Sequence, residues 1–302
     1  MQIARSIFRA PKINNPSVAK QMVEGVNADT MHSFIVKLVG RFNNRYAETN
    51  QGVQTSNWIM KEWENIIGVY RLGEDVKIET FSHTISDQKS IIATIQGTKD
   101  PMEIVIIGAH LDSTSRAISK WLESSLAPGA DDNASGITVL TEALRVMMKL
   151  GYKPEKTIKI MAFANEEIGL VGSRDIARQY DQDGKDVIAM LNFDMVGYKG
   201  EGSKGIYLSE DFSNVDLAEF LMKILDTYLP RVTKSFMKCD YGCSDHAAWT
   251  NQGYPAIMAT EKFPPGNPNY HTDWDTVVNE LYMSNYARLA VIFLAEVAKG
   301  KL

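Results

Sequence analysis

Five short segments each end an apolar run with an acid or an imidazole: IVIIGAHLD (104–112), APGADDNASG (127–136), MAFANEEIG (161–169), MLNFDMVG (190–197) and NPNYHTDWDT (267–276). Runs of this length, bounded by Gly or Pro, read as buried strands of a mostly parallel sheet. In open α/β sheets the ligand crevice lies at the carboxyl ends of the strands. His110, Asp131, Glu166, Glu167, Asp194 and His271 are therefore expected to converge there. Two imidazoles and several carboxylates in one crevice suit a pair of Zn²⁺ ions and metal-assisted hydrolysis.

Each segment also has a blander reading. His110 stands two residues before Asp112, a spacing that lets the carboxylate fix the tautomer and aim of the imidazole. A satisfied structural histidine would look the same. The neighbouring acids Asp131 and Asp132 lie in a tight turn leading into a helix, where their repulsion calls for water or cations. Capping of that helix by Asp132 or Asn133 competes with the metal role; the expectation is that Asp131 takes the metal and Asp132 supports it. Glu166 and Glu167 on an irregular strand end can diverge, one toward a metal and one toward the reacting water. Their bland role is that of acids at the start of the next helix. Asp194 interrupts a nearly continuous apolar run, and a cation relieves the cost of burying an unpaired carboxylate. His271 follows the turn residues NPNY, with Asp275 four residues on as its expected partner.

The elements that must position these groups alternate as in a doubly wound sheet. The apolar spacing predicts helices over 17–48 and 52–68, then strands over 77–83 and 90–97 joined by a polar turn. Strands follow at 103–110, 157–164, 187–195, 205–209 and 254–260, and helices at 134–150, 168–181, 213–229, 244–252 and 279–299. The fold class is α/β: a single globular domain over 1–302, with a mostly parallel, mixed central sheet flanked by helices on both faces. Residues 1–16 are expected to form a loosely packed extension.

The chain has 302 residues, 44% of them hydrophobic and 23% charged, enough for one sizeable core. A net charge of −5 with scattered Lys and Arg argues against a nucleic-acid or anionic-membrane partner. No run approaches the roughly 18 apolar residues needed to cross a bilayer. The first residues lack the apolar region of a signal peptide, which fits a cytosolic chain or a mature exported one. Cys239 and Cys243 are the only cysteines, and their spacing suits either a small disulfide loop or two neighbouring thiols.

Taken together, SNWIMKEW, AHLDST, APGADDNASG, ANEEIGLVGS, DMVGYKG, CDYGCSDHAAW, YPAIM and NYHTDWDT resemble the co-catalytic zinc aminopeptidases of peptidase family M28, from about residue 40 to the C-terminus. That resemblance implies the zinc-dependent exopeptidase fold and two Zn²⁺ per chain. It assigns His110 and Asp194 to one zinc, Glu167 and His271 to the other, and Asp131 as the bridge through a cis bond to Asp132. Glu166 becomes the general base and acid, Asp112 the partner of His110, and Tyr241 a donor to the oxyanion. Cys239 and Cys243 become a disulfide. Met195, Leu208, Met258, Phe263 and Tyr270 fall where the family lines an apolar pocket for the first residue. Thr260 departs from an aromatic in similar enzymes, and Arg116, Lys120 or Trp121 in the unusual 113–128 segment would rim the site. The implied protein is a secreted monomer that removes a hydrophobic N-terminal residue, such as leucine, from peptides at neutral to alkaline pH. Alternatives are a carboxypeptidase, a glutaminyl-cyclase-like enzyme of the same fold, and a catalytically silent peptidase-like binding domain.

Overall fold

In a computed structural model of the chain, which describes residues 7–70, 76–116, 122–202, 205–263 and 266–302, three helices precede the sheet. They are α1 (Pro16–Gly25), α2 (Ala28–Arg41) and α3 (Asn50–Tyr70). The single helix expected over 17–48 is thus two. Asn27 divides them: its side chain accepts from the Thr30 amide at 2.9 Å and starts α2 as an N-cap.

The remaining elements are β1 (Val76–Phe81), β2 (Ser90–Ile95), β3 (Asp100–His110), α4 (Gly136–Leu150), β4 (Lys156–Phe163), α5 (Val171–Gln182) and β5 (Asp186–Phe193). After them come β6 (Gly205–Ser209), α6 (Val215–Tyr228), β7 (Thr233–Met237), α7 (His246–Asn251), β8 (Ala256–Thr260) and α8 (Glu280–Val297). The eight strands form one sheet in the order β1-β2-β4-β3-β5-β8-β6-β7. β3 pairs in parallel with both β4 and β5, β5 with β8, and β6 with β7; the other three pairings are antiparallel. The expected mostly parallel mixed sheet is therefore present. β7 was not legible in the sequence, because this short edge strand leaves most of its residues at the surface and shows no apolar alternation.

Side chains of β3 alternate between two apolar layers, as a pleated strand requires. Ile104 and Ile106 join Met161 and Phe163 of β4 beneath α5 and α7, where Trp249, Tyr180 and Tyr254 fill the space. Val105, Ile107 and Ala109 face the larger layer built by α1–α4, α6 and α8. α8 is buried on nearly all sides, and Asn279 caps it by accepting from the Tyr282 amide at 2.8 Å. Helices cover both faces, so the near-continuous apolar strands have no wet side.

Residues 7–16 correct the expectation of a loose extension. Phe8 is buried and meets Phe220 edge-on at 5.5 Å. The Asn14 and Asn15 amides donate to Glu296 at 3.1 and 3.0 Å. Burial of a Phe side chain contributes about 2 kcal/mol, so Phe8 ties this otherwise surface-lying segment to the core. Residues 1–6 lie outside the described residues.

Candidate metal centre

The parallel register brings the strand ends level: His110 at the end of β3 pairs with Phe163 at the end of β4, and Phe193 of β5 with Ala259 of β8. The chain beyond each strand carries the acids. His110 points its Nε2 at Asp132 Oδ1, 3.1 Å away, and lies 3.4 Å from Asp194 Oδ1. Its Nδ1 lies 3.2 Å from the Asp112 main-chain oxygen and 3.5 Å from Asp112 Oδ1. The Asp112 carboxylate does something further. It accepts the Glu166 and Glu167 amides, both at 3.1 Å, and so fixes the turn that presents those glutamates.

The turn 130–135 overturns the assignment of the paired aspartates. Asp132, not Asp131, enters the centre: its second oxygen lies 3.0 Å from His271 Nε2, so one carboxylate spans both imidazoles. Asp131 points the other way. Its Oδ1 accepts the Gly197 and Tyr198 amides at 2.8 and 3.0 Å, and its Oδ2 accepts from Asn267 at 3.2 Å. The cis peptide bond likewise joins Asp132 to Asn133 rather than Asp131 to Asp132. Adjacent residues in a tight turn project in different directions, so residue type alone could not choose between them. Gly129 leads in with φ 49°, where an added Cβ would sit 2.2 Å from the Asp132 carbonyl oxygen.

Asp275 also departs from its expected role. It does not touch His271 but accepts the amides of Asp131 and Asp132, the latter at 3.0 Å, together with Asn267 Nδ2 at 3.0 Å. Arg45 braces the same turn from behind. Its guanidinium is fully buried and donates to Leu111, Pro128 and Gly129 carbonyls. Burial pushes its pKa down to about 10, against the pull of Asp275 and Asp112. No motif spacing marks Arg45, Asn267 or Glu261, which reach the turn or its neighbours from distant parts of the chain: Glu261 accepts the Tyr198 amide at 2.9 Å, and Asn267 donates to Asp131.

Asp194 accepts from Ser244 Oγ at 2.5 Å, and Asn192 Nδ2 donates to that hydroxyl at 2.8 Å. Glu167 Oε2 lies 3.1 Å from His271 Nε2. What remains is a surplus of acceptor oxygens: Glu167 Oε1 and Asp194 Oδ1 are buried with no hydrogen-bond partner. The groups His110–Asp132–Asp194 and Asp132–Glu167–His271 each offer ligand atoms within 4.8 Å of one another and share Asp132. Imidazole nitrogens and carboxylate oxygens in this number are the donor set that suits Zn²⁺. The residues fit a metal pair on their own geometry.

Without an ion the protonation states are displaced. Burial, followed by Glu167, Asp245 and Asp194, raises Glu166 well above the usual carboxylate range, with His110 opposing. Burial and Asp132 lift Glu167 to about 7. Burial lowers His271, but hydrogen bonds with Asp132 and Glu167 outweigh it and take the imidazole to about 10. Burial would raise Asp132 too, and the two imidazoles instead hold it well below the usual range. Buried carboxylates set this close raise one another's pKa and that of His271, a charge imbalance that bound cations would relieve.

Comparisons with known proteins agree with this arrangement. Residues 90–297 match peptidase family M28. A probable leucine aminopeptidase 1 of Trichophyton verrucosum is 36% identical over 304 residues, covering 95% of this chain and 78% of that protein. The chain belongs to peptidase family M28. The solved structure of the Legionella pneumophila LapA aminopeptidase superposes with a TM-score of 0.88 at 28% identity, covering 97% of this chain and 75% of that one. A Bacteroides thetaiotaomicron glutaminyl cyclase shares the fold alone, with a TM-score of 0.71 at 18% identity over 89% of this chain and 97% of its own.

In this M28 chain a small cavity opens over the acids. Met195, Met258, Phe263 and Tyr270 line it as expected, with Thr260 beside them. Leu208 does not: it is fully buried in the larger core layer, because β6 turns that residue away from the cavity. Met237 at the end of β7 lines the cavity instead, and the unrecognised strand hid it. Cys239 and Cys243 form a disulfide on the rim. Between them Tyr241 stands at the mouth, 57% exposed. Burial of its remaining surface, then Glu166 and Asp194, raises its pKa, so the hydroxyl keeps its proton. Lys120 and Trp121 lie outside the described residues, whereas Arg116 is placed beside Tyr270.

Proposed function

We propose that this chain is a metallo-aminopeptidase with a co-catalytic zinc pair, acting on peptides with a hydrophobic first residue. The observation that carries the reading is Asp132 set between His110 and His271 at 3.1 and 3.0 Å, with unpartnered oxygens of Asp194 and Glu167 on either side. His110, Asp132 and Asp194 would hold one ion, and Asp132, Glu167 and His271 the second. Asp131 is left to orient the turn. The names of the relatives support the aminopeptidase activity, and leucine is the first residue those names specify.

Bound zinc would supply a water acidified to a pKa near 7 and a polarised carbonyl. The protein supplies the rest. Glu166 lines the cavity on a turn held by the hydrogen bond its main-chain N–H donates to Asp112; it takes a proton from the attacking water and returns it to the leaving amine. The Tyr241 hydroxyl donates to the developing oxyanion. The excess of carboxylates favours a substrate that presents a free amino group, and Met195, Met258 and Phe263 offer its side chain an apolar wall. The modest breadth of that wall at Thr260 leaves room for larger first residues. A disulfide suits an oxidising compartment, which supports export.

Leucine p-nitroanilide should be hydrolysed and its N-acetyl derivative should not. Glu166→Gln should keep two zinc ions per chain and lose about 10²- to 10⁴-fold in kcat, the range of a general base. Cleavage of the acetylated substrate, or near-wild-type turnover by the Gln variant, would overturn the assignment.

A further inference from the structure

A second hollow, about 330 Å³ and open to solvent, adjoins the centre on the far side of His271. Ser115, Arg116, Leu126 and Asp273 are among its walls, and His271 belongs to both cavities. The Arg116 amide donates to the His271 carbonyl at 2.8 Å. Its guanidinium sits 6.0 Å over the Tyr270 ring, which itself stacks on the His271 imidazole at 3.7 Å. The charge is thus held beside the centre by backbone and ring contacts. Asp273 lines the same hollow, and among the described residues neither side chain takes part in an ion pair. Among the described residues that line either cavity, Arg116 is the one permanent cation, in a region otherwise crowded with acids.

We propose that the hollow beyond His271 receives the residues that follow the cleaved bond, and that Arg116 binds the free carboxylate of di- and tripeptides. This inference rests on the aminopeptidase reading and adds a substrate class to it. With the first side chain against the apolar wall, the scissile bond lies at the acids, and His271 separates it from the hollow. An extended chain advances about 3.5 Å per residue. A carboxylate one or two residues past the bond therefore falls within reach of a side chain anchored at His271, and a longer peptide carries its carboxylate beyond it. A planar guanidinium with free donors is the group that takes a carboxylate through two parallel hydrogen bonds. The Arg116 side chain is exposed to solvent, so an incoming carboxylate can approach it.

The test uses Leu-Gly, Leu-Gly-Gly and Leu-Gly-Gly-Gly-Gly, each as free acid and as C-terminal amide, with the zinc-loaded wild type and Arg116→Gln. Each enzyme is read as its own acid-to-amide ratio of kcat/KM, so a general loss of activity cancels. The wild type should favour the acids of the two short peptides by about ten-fold, the scale of one charge-assisted contact, and approach parity for the longest. Arg116→Gln should abolish the preference or invert it, since the surrounding acids then repel a carboxylate. A wild-type ratio near one for the short peptides, or an unchanged ratio in Arg116→Gln, overturns the subsite. Failure to hydrolyse leucine p-nitroanilide overturns the aminopeptidase reading itself.

Discussion

Two buried imidazoles in this protein meet carboxylates and serve different ends. His83 bridges Asp175 at 3.0 Å and Ser90 Oγ at 2.8 Å, and that hydroxyl also accepts the Ala164 amide at 2.9 Å. Both ring nitrogens are satisfied and the single acid is partly solvated, so burial prevails and the imidazole pKa falls despite Asp175. His110, by contrast, faces Asp132, Asp194 and Glu166, and these acids lift its pKa well above the usual value although burial opposes them. The first set closes its own hydrogen bonds and behaves as a brace for the turn after β4. The second leaves oxygens unpartnered and calls for cations. Counting satisfied atoms separates a structural histidine from a metal centre, where residue types cannot.

The largest effect that sharpens this contrast lies in the adjacent aspartates. Asp132→Asn should abolish hydrolysis of leucine p-nitroanilide by more than about 10³-fold, whereas Asp131→Asn should cost about 10- to 100-fold, as for an outer partner. Equal losses in kcat/KM would break the distinction between them.

Next in size is the stability of the metal-free protein. The His271 imidazole, raised from 6.5 to about 10 in the fold, contributes stability that is full below pH 6.5 and is lost as pH rises toward 10. Glu167, raised to about 7, adds a penalty that is complete above that pH. Between pH 6.5 and 9 the EDTA-treated protein should lose stability on the order of a few kcal/mol, read as a falling Tm. The zinc-loaded protein should not follow this trend, because cations replace the displaced protons. A rising Tm for the EDTA-treated protein would contradict the proton arrangement.

The smallest effect belongs to the satisfied histidine. His83→Gln should destabilise by about 1–3 kcal/mol, the cost of leaving buried partners unmet, in urea denaturation. Its metal content should equal that of the wild type. Loss of zinc would place His83 in the centre rather than beneath it.

The sequence carried the sheet and its strand ends well, since runs such as IVIIGAH leave few alternatives to a buried parallel strand. It also brought His110, Glu166, Glu167, Asp194 and His271 to one place. It failed where direction rather than proximity mattered: Asp131 against Asp132, and Asp275 supporting the turn instead of His271. A tight turn sends neighbouring side chains apart, and only its full backbone path says which goes where. Arg45 and Asn267 were hidden for a related reason, because Gly129 and Asp131, which they hold, lie far away in the chain. Leu208 and Met237 exchanged places with respect to the cavity once β7 was known.

Asp132 is proposed to join two metal sites. Zinc counted per chain by elemental analysis, after dialysis to equilibrium, decides this in the wild type, Asp131→Asn and Asp132→Asn. Two ions are expected in the wild type, two at weakened affinity in Asp131→Asn, and fewer than one in Asp132→Asn. Two tightly held ions in Asp132→Asn, or a wild type that saturates at one, would overturn the shared role of Asp132.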